Sequence, residues 1–179
     1  MTIPSTVTEL GAWAFNGCIN LSEVILLGGG MFLNQDFFAR GFSGLGLGLV
    51  NQRALGEIFF DEPDERLAFA FCDCPLTAVK ISISWAVSER MARLLPKCRI
   101  SVEERIRNLP RLDLMQDGNV VACLPVVNMT SEDDAESDSD DEAEDFNVQD
   151  ANFETARSVY QILQLIAFHE LKESSILIE

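Results

Sequence analysis

"AWAFNGCINLSEVIL" runs from Ala12 to Leu26, and "AFAFCDCPLTAVKI" runs from Ala68 to Ile81. Each begins with alanine, an aromatic residue, alanine, phenylalanine, two free positions and cysteine, and the two copies lie 56 residues apart. Each then continues into an apolar hexamer, Leu21–Leu26 ("LSEVIL") or Leu76–Ile81 ("LTAVKI"), with apolar residues at its first, fourth and sixth positions. Such hexamers are short β-capable runs in which alternate side chains point inward. The spacing returns in "LGEIFF" at Leu55–Phe60 and, more loosely, in "LPRLDL" at Leu109–Leu114. Ile3 and Phe59 also fall at one offset, twelve residues before Phe15 and Phe71. Motifs that recur at matched offsets imply units that share one core, because a unit of this size cannot bury its apolar face alone.

The stretch from Ile3 to Leu26 resembles one unit of the BspA-like leucine-rich repeat family. Ile3, Pro4, Val7, Leu10, Gly11, Ala14, Phe15, Cys18, Leu21, Val24 and Leu26 carry the resemblance. It extends to about Ser82, with a second match at Ala70–Ile81. It implies an α/β repeat fold, a short irregular leucine-rich solenoid of stacked strands and return loops. Phe15 and Phe71 would then stack in the interior, Ala14 and Ala70 would allow close backbone approach, and Cys18 and Cys74 would be small buried groups.

Downstream of residue 83, Ser88–Leu95 reads as a short helix stopped by Pro96. A second helix opens on a capping box of Ser101 and Glu104 and ends at Pro110. Asp117 and Gly118, set between two apolar runs, signal a β-hairpin. These elements suit a cap on the open end of a solenoid. Four regions follow: repeat units over 1–83, a helix-helix-hairpin cap over 84–128, a disordered acidic linker over 129–150, and an amphipathic helix over 151–179.

Charge explains the third region. The chain carries a net charge of −16, of which Glu132–Asp145 alone supplies ten acidic residues in fourteen positions. So dense a run buries too little apolar surface to offset its ordering entropy. In the last region, Phe153, Ala156, Tyr160, Leu163 and Ala167 recur at helical spacing, with Val159, Ile162 and Ile166 widening the stripe. A face that wide needs something to cover it.

No catalytic constellation emerges. His169 is the only histidine, and the linker separates it from every cysteine. Cys72, Cys74, Cys98 and Cys123 lack the paired spacing of a zinc site. "GLGLG" at Gly44–Gly48 has neither the lysine and hydroxyl of a phosphate-binding loop nor the glycine spacing of a dinucleotide fingerprint. The expectation is therefore a non-enzymatic chain with no cofactor and no metal. An acidic chain repels phosphate backbones, which argues against nucleic acid, and its longest uncharged stretch is too short to span a bilayer. Five cysteines, an odd number, suit free thiols and an intracellular setting, cytoplasmic or nuclear. The abrupt apolar ends suggest a fragment.

What remains is recognition. Strand alternation places Glu23, Ile25, Glu57, Phe59, Ala78 and Lys80 on the outward face, the expected contact surface for a protein partner. Ile25 and Phe59 would form an apolar pair there. An alternative is self-assembly through the C-terminal helix. Arg90, Arg93, Lys97, Arg99, Arg105 and Arg107, followed by Arg111, are read as a solvated helix face, a dock for the acidic linker or a site for an external anion. Ser131, Ser137 and Ser139, each with an acidic residue three positions on, resemble substrates of acidophilic kinases.

Overall fold

The computed structural model describes residues 1–40 apart from Thr8 and Ala12, then 49–51, 70–126 apart from Cys72, and 148–176. Strand β1 spans Thr2–Ile3, β2 spans Glu23–Leu26 and β3 spans Ala78–Ser82. A 3-10 turn at Gly29–Phe32 and helix α1 at Gln35–Arg40 follow β2. Helix α2 is Ser84–Arg93, α3 is Pro96–Asn108, β4 is Leu112–Leu114, β5 is Val120–Pro125 and α4 is Val148–Ile176.

The five strands make one mixed sheet in the order β1-β2-β3-β5-β4. β1, β2 and β3 run parallel, with Val24 beside Val79 and Leu26 beside Ile81. β5 lies antiparallel to β3, and β4 antiparallel to β5. The hairpin forms where Asp117 and Gly118 predict it: Gly118 takes φ +85, and the Met115 N–H donates to the Asn119 carbonyl at 2.8 Å.

This architecture corrects the repeat reading. The molecule is an α/β fold built on one mixed sheet, and no leucine-rich solenoid forms among the described residues. The chain leaves β3 into α2 and returns as a hairpin, so the parallel run stops at β3 and no further turn stacks on it. Helices then take over the role that successive turns would have had. Val24, Leu26, Val79, Ile81, Ala122 and Leu124 of the sheet pack in one core with Val87 of α2, Val102 and Ile106 of α3, and Val159, Ile162 and Ile166 of α4.

Locally, the two motif copies do what their residues require. Phe15 and Phe71 stack, and the Phe15 N–H donates to the Ala70 carbonyl at 2.8 Å. Ala70 and Phe71 are buried. Ala14 and Cys18, expected in the interior, are instead exposed, as are Trp13 and Ile19.

Two helix starts also differ from expectation. The capping box at Ser101 does not open α3, which begins five residues earlier at Pro96. Proline suits the first turn, where its missing N–H leaves no bond unmade, and it holds Leu95 extended at ψ 147. One residue thus stops α2 and starts α3. α2 itself begins at Ser84, carried by Val87 and Met91 one turn apart on its buried side.

α4 belongs to the fold and is not a separate unit. It runs antiparallel to α3: Glu154 meets Arg111 at 2.9 Å, Gln161 accepts from Arg105 at 3.2 Å, and Glu173 accepts from the Leu95 backbone N–H at 2.9 Å. The Thr155 hydroxyl, fully buried, donates to the Cys123 carbonyl of β5 at 2.8 Å. The stripe of Val159, Ile162 and Ile166 that called for a cover is covered by the sheet and helices of its own chain.

Candidate interaction face

Strand alternation sends one set of side chains away from the helices. On β2 this set is Glu23 and Ile25, on β3 Ala78 and Lys80, on β5 Cys123 and on β4 Asp113. The register puts Glu23 beside Ala78, Ile25 beside Lys80 and Lys80 beside Cys123. The apolar residues of the described helices pack on the opposite face, so this one is left without a helical layer among the described residues.

Lys80 organises the face. Its ammonium lies 2.8 Å from Glu23 Oε2 and 2.8 Å from Asp113 Oδ2. Because β5 separates β3 from β4, the contact with Asp113 crosses over β5. Val121, flanked in register by Ser82 and Asp113, is fully buried on this same face. Burial works against the lysine charge, but its hydrogen bonds to Asp113 and Glu23 outweigh burial and hold the proton more tightly than on a free lysine.

Next to it, burial pushes the Cys123 thiol up to about 12, with the Asp113 charge adding to the shift, so this cysteine stays a neutral thiol. Its sulfur lies 3.6 Å from Asp113 Oδ2. Asp113 was not singled out from the sequence, and Cys123 was weighed only as a zinc ligand. The alternation of "LDL" was the available signal for Asp113, which sits outward between inward Leu112 and half-buried Leu114.

Of the six residues expected to form the contact surface, Glu23, Ile25, Ala78 and Lys80 share this face. Glu57 and Phe59 lie outside the described residues. Within the sheet the flanks of Ile25 are taken by Thr2 of β1 and Lys80 of β3, and the expected Ile25–Phe59 pair falls outside the described residues. Ile25 is half-buried, not a bare apolar knob.

The basic residues of α2 and α3 are dispersed into local pairs. Arg90 makes a two-pronged contact with Glu170 at 3.1 and 2.6 Å, which holds the Glu170 carboxyl below its ordinary range. Arg93 pairs with Glu89 and Arg107 with Glu103, each one turn away. Arg105 donates to Gln161 beside an open polar groove of about 600 Å³ between α3 and α4, where Glu104 offsets its charge. Lys97 and Arg99 stay exposed. Ser131, Ser137, Ser139 and the whole acidic run Glu132–Asp145 lie outside the described residues.

His169 has both ring nitrogens buried and without a hydrogen-bond partner, its ring edge-on to Phe168 at 5.6 Å. A general base needs a proton donor within reach. No group of three potential metal ligands gathers among the described residues, and no described helix is long and apolar enough to cross a membrane.

Comparison with family models, with curated proteins and with solved structures finds no match to this chain.

Proposed function

We propose that this chain is a non-enzymatic protein-binding module that engages a folded partner through the outer face of its sheet. The observation that carries the reading is the one-sided layering: the described helices share the core on one side, while Glu23, Ile25, Ala78, Lys80 and Asp113 occupy the other. A half-buried apolar centre within an ion-paired rim matches the anatomy of protein interfaces. Lys80 is already matched by Glu23 and Asp113, which leaves the face one negative charge in excess on a chain of net charge −16. The partner surface is therefore net basic.

The alternative, self-assembly through the C-terminal helix, loses the feature that motivated it. The broad stripe of α4 is spent on the core. Only its outer residues, with Phe153, Phe168 and Leu171 the most exposed, remain to serve that reading.

The test compares capture of a basic protein partner by the intact chain and by two folded variants. Ala78→Arg places a bulky cation at the centre of the face, and Arg99→Glu alters exposed α3. Loss with Ala78→Arg and retention with Arg99→Glu supports the reading; equal capture by both overturns it.

A further inference from the structure

Cys18 and Cys74 occupy the same point of the same turn. Gly17 and Asp73, one residue before each, both take left-handed backbone, at φ +68 and +54. The Cys18 N–H donates to the Phe15 carbonyl at 3.2 Å, and the Cys74 N–H donates to the Phe71 carbonyl at 3.2 Å. Beyond each cysteine, the Leu21 N–H returns to the Cys18 carbonyl at 2.9 Å and the Leu76 N–H to the Cys74 carbonyl at 2.8 Å. Two turns alike in these respects are laid against each other by the Phe15–Phe71 stack and the Phe15–Ala70 hydrogen bond.

Stacking equivalent turns brings equivalent side chains together. The Cys74 thiol donates to the Phe15 carbonyl at 3.0 Å, inside the other turn, and interacts with both the thiol and the backbone N–H of Cys18. The Cys74 sulfur thus sits within the turn that carries Cys18, and a disulfide between them would need α-carbons roughly 4.4–6.8 Å apart. Neither residue is part of a disulfide.

We propose that Cys18 and Cys74 form a redox pair that closes to a disulfide under a hydroperoxide, clasping the first motif copy to the second. Their exposure assigns the roles. Cys18 is exposed and meets the oxidant, whereas Cys74 is half-buried and faces its partner. Burial raises the Cys74 thiol; the Cys18 backbone N–H works against it, while the Cys18 thiol and Asp73 add to the rise, which suits Cys74 to wait as the resolving group.

In the first step the Cys18 sulfur attacks the peroxide, the O–O bond breaks, Cys18 becomes a sulfenic acid and the alcohol or water leaves with the thiol proton. In the second, the Cys74 sulfur attacks the Cys18 sulfur, the S–S bond forms, and the hydroxyl leaves as water with the Cys74 proton. The two thiols lose two electrons and the peroxide gains them. The clasp acts where the first copy is least supported, with Ala14 and Cys18 exposed and Phe15 half-exposed.

The experiment treats the folded full chain with hydrogen peroxide and maps its peptides without reduction. The expected result is a Cys18–Cys74 linked peptide with the loss of two hydrogens, reversed by dithiothreitol and unchanged by Cys72→Ser, Cys98→Ser or Cys123→Ser. With Cys74→Ser, the Cys18 sulfenic acid should instead accumulate and be trapped by dimedone. Linkage of Cys18 to Cys72, over-oxidation of Cys18 with Cys74 left as a thiol, or no reaction at Cys18 overturns the proposal.

Discussion

Phe15 and Phe71 stack with ring centroids 5.0 Å apart and planes 11° from parallel, although 56 residues separate them in the chain. This contact joins the two motif copies, and its two rings are unequally protected, since Phe71 is 3% exposed and Phe15 half-exposed. Phe71→Ala should therefore cost about 3–5 kcal/mol, as expected for a buried aromatic, and Phe15→Ala measurably less. A double-mutant cycle in urea should give a coupling of about 0.5–1.5 kcal/mol. Additive losses would mean that the rings do not support each other.

Gly29 is fixed by what lies opposite. A β-carbon there would collide with Ile81 Cγ2, and Ile81 is fully buried in the core. Gly29→Ala should lower stability by about 1–3 kcal/mol through overpacking, read as a fall in Tm. Gly11→Ala, where an added β-carbon meets nothing within 4 Å, serves as the control.

The Arg90–Glu170 pair ties α2 to α4 and should leave an acid signature. Glu170 is depressed in the folded state, chiefly by its hydrogen bond to Arg90. Its contribution is thus present above the unfolded value of about 4.3 and lost as pH falls through the lower folded value. Both side chains are about one-third exposed, so screening limits the pair to roughly 0.5–1 kcal/mol. The stability difference between the native chain and Glu170→Gln should be largest near pH 6 and shrink below about pH 4. A difference constant with pH would remove the ion pair from the account.

α4 should be indispensable to folding. Ile162 and Ile166 are fully buried against the sheet and helices. Ile162→Ala should cost about 2–5 kcal/mol, and removal of residues 151–179 should abolish the cooperative unfolding transition. A truncated chain that melts cooperatively would make the helix an appendage.

Much of the local structure was legible because its signals are local. Period-two alternation marked Val24, Leu26, Val79 and Ile81 as inward, Asp117–Gly118 marked the hairpin, and the matched cysteine motifs placed Phe15 on Phe71. The order of the sheet was not legible, because repeated strands specify their own faces and not their neighbours. What seats β5 against β3 is a return path after α2, a tertiary choice that no hexamer encodes. Pro96 misled because a proline that ends one helix also opens another. The apolar width of α4 was visible but its target was not, since its anchors, Thr155 on Cys123, Glu154 on Arg111 and Glu170 on Arg90, are all distant in sequence. The Lys80 cluster was hidden for the same reason: Glu23 and Asp113 come from strands on either side of it, and only the assembled sheet brings them together.

The most direct measurement of the central claim is site-specific photo-crosslinking. A benzophenone amino acid at Ala78 lies on the outer sheet face, and one at Arg99 lies on exposed α3. The account predicts a discrete adduct with a basic protein from position 78 and none from position 99. Adducts from position 99 alone, or none from position 78 in a folded chain, would contradict it.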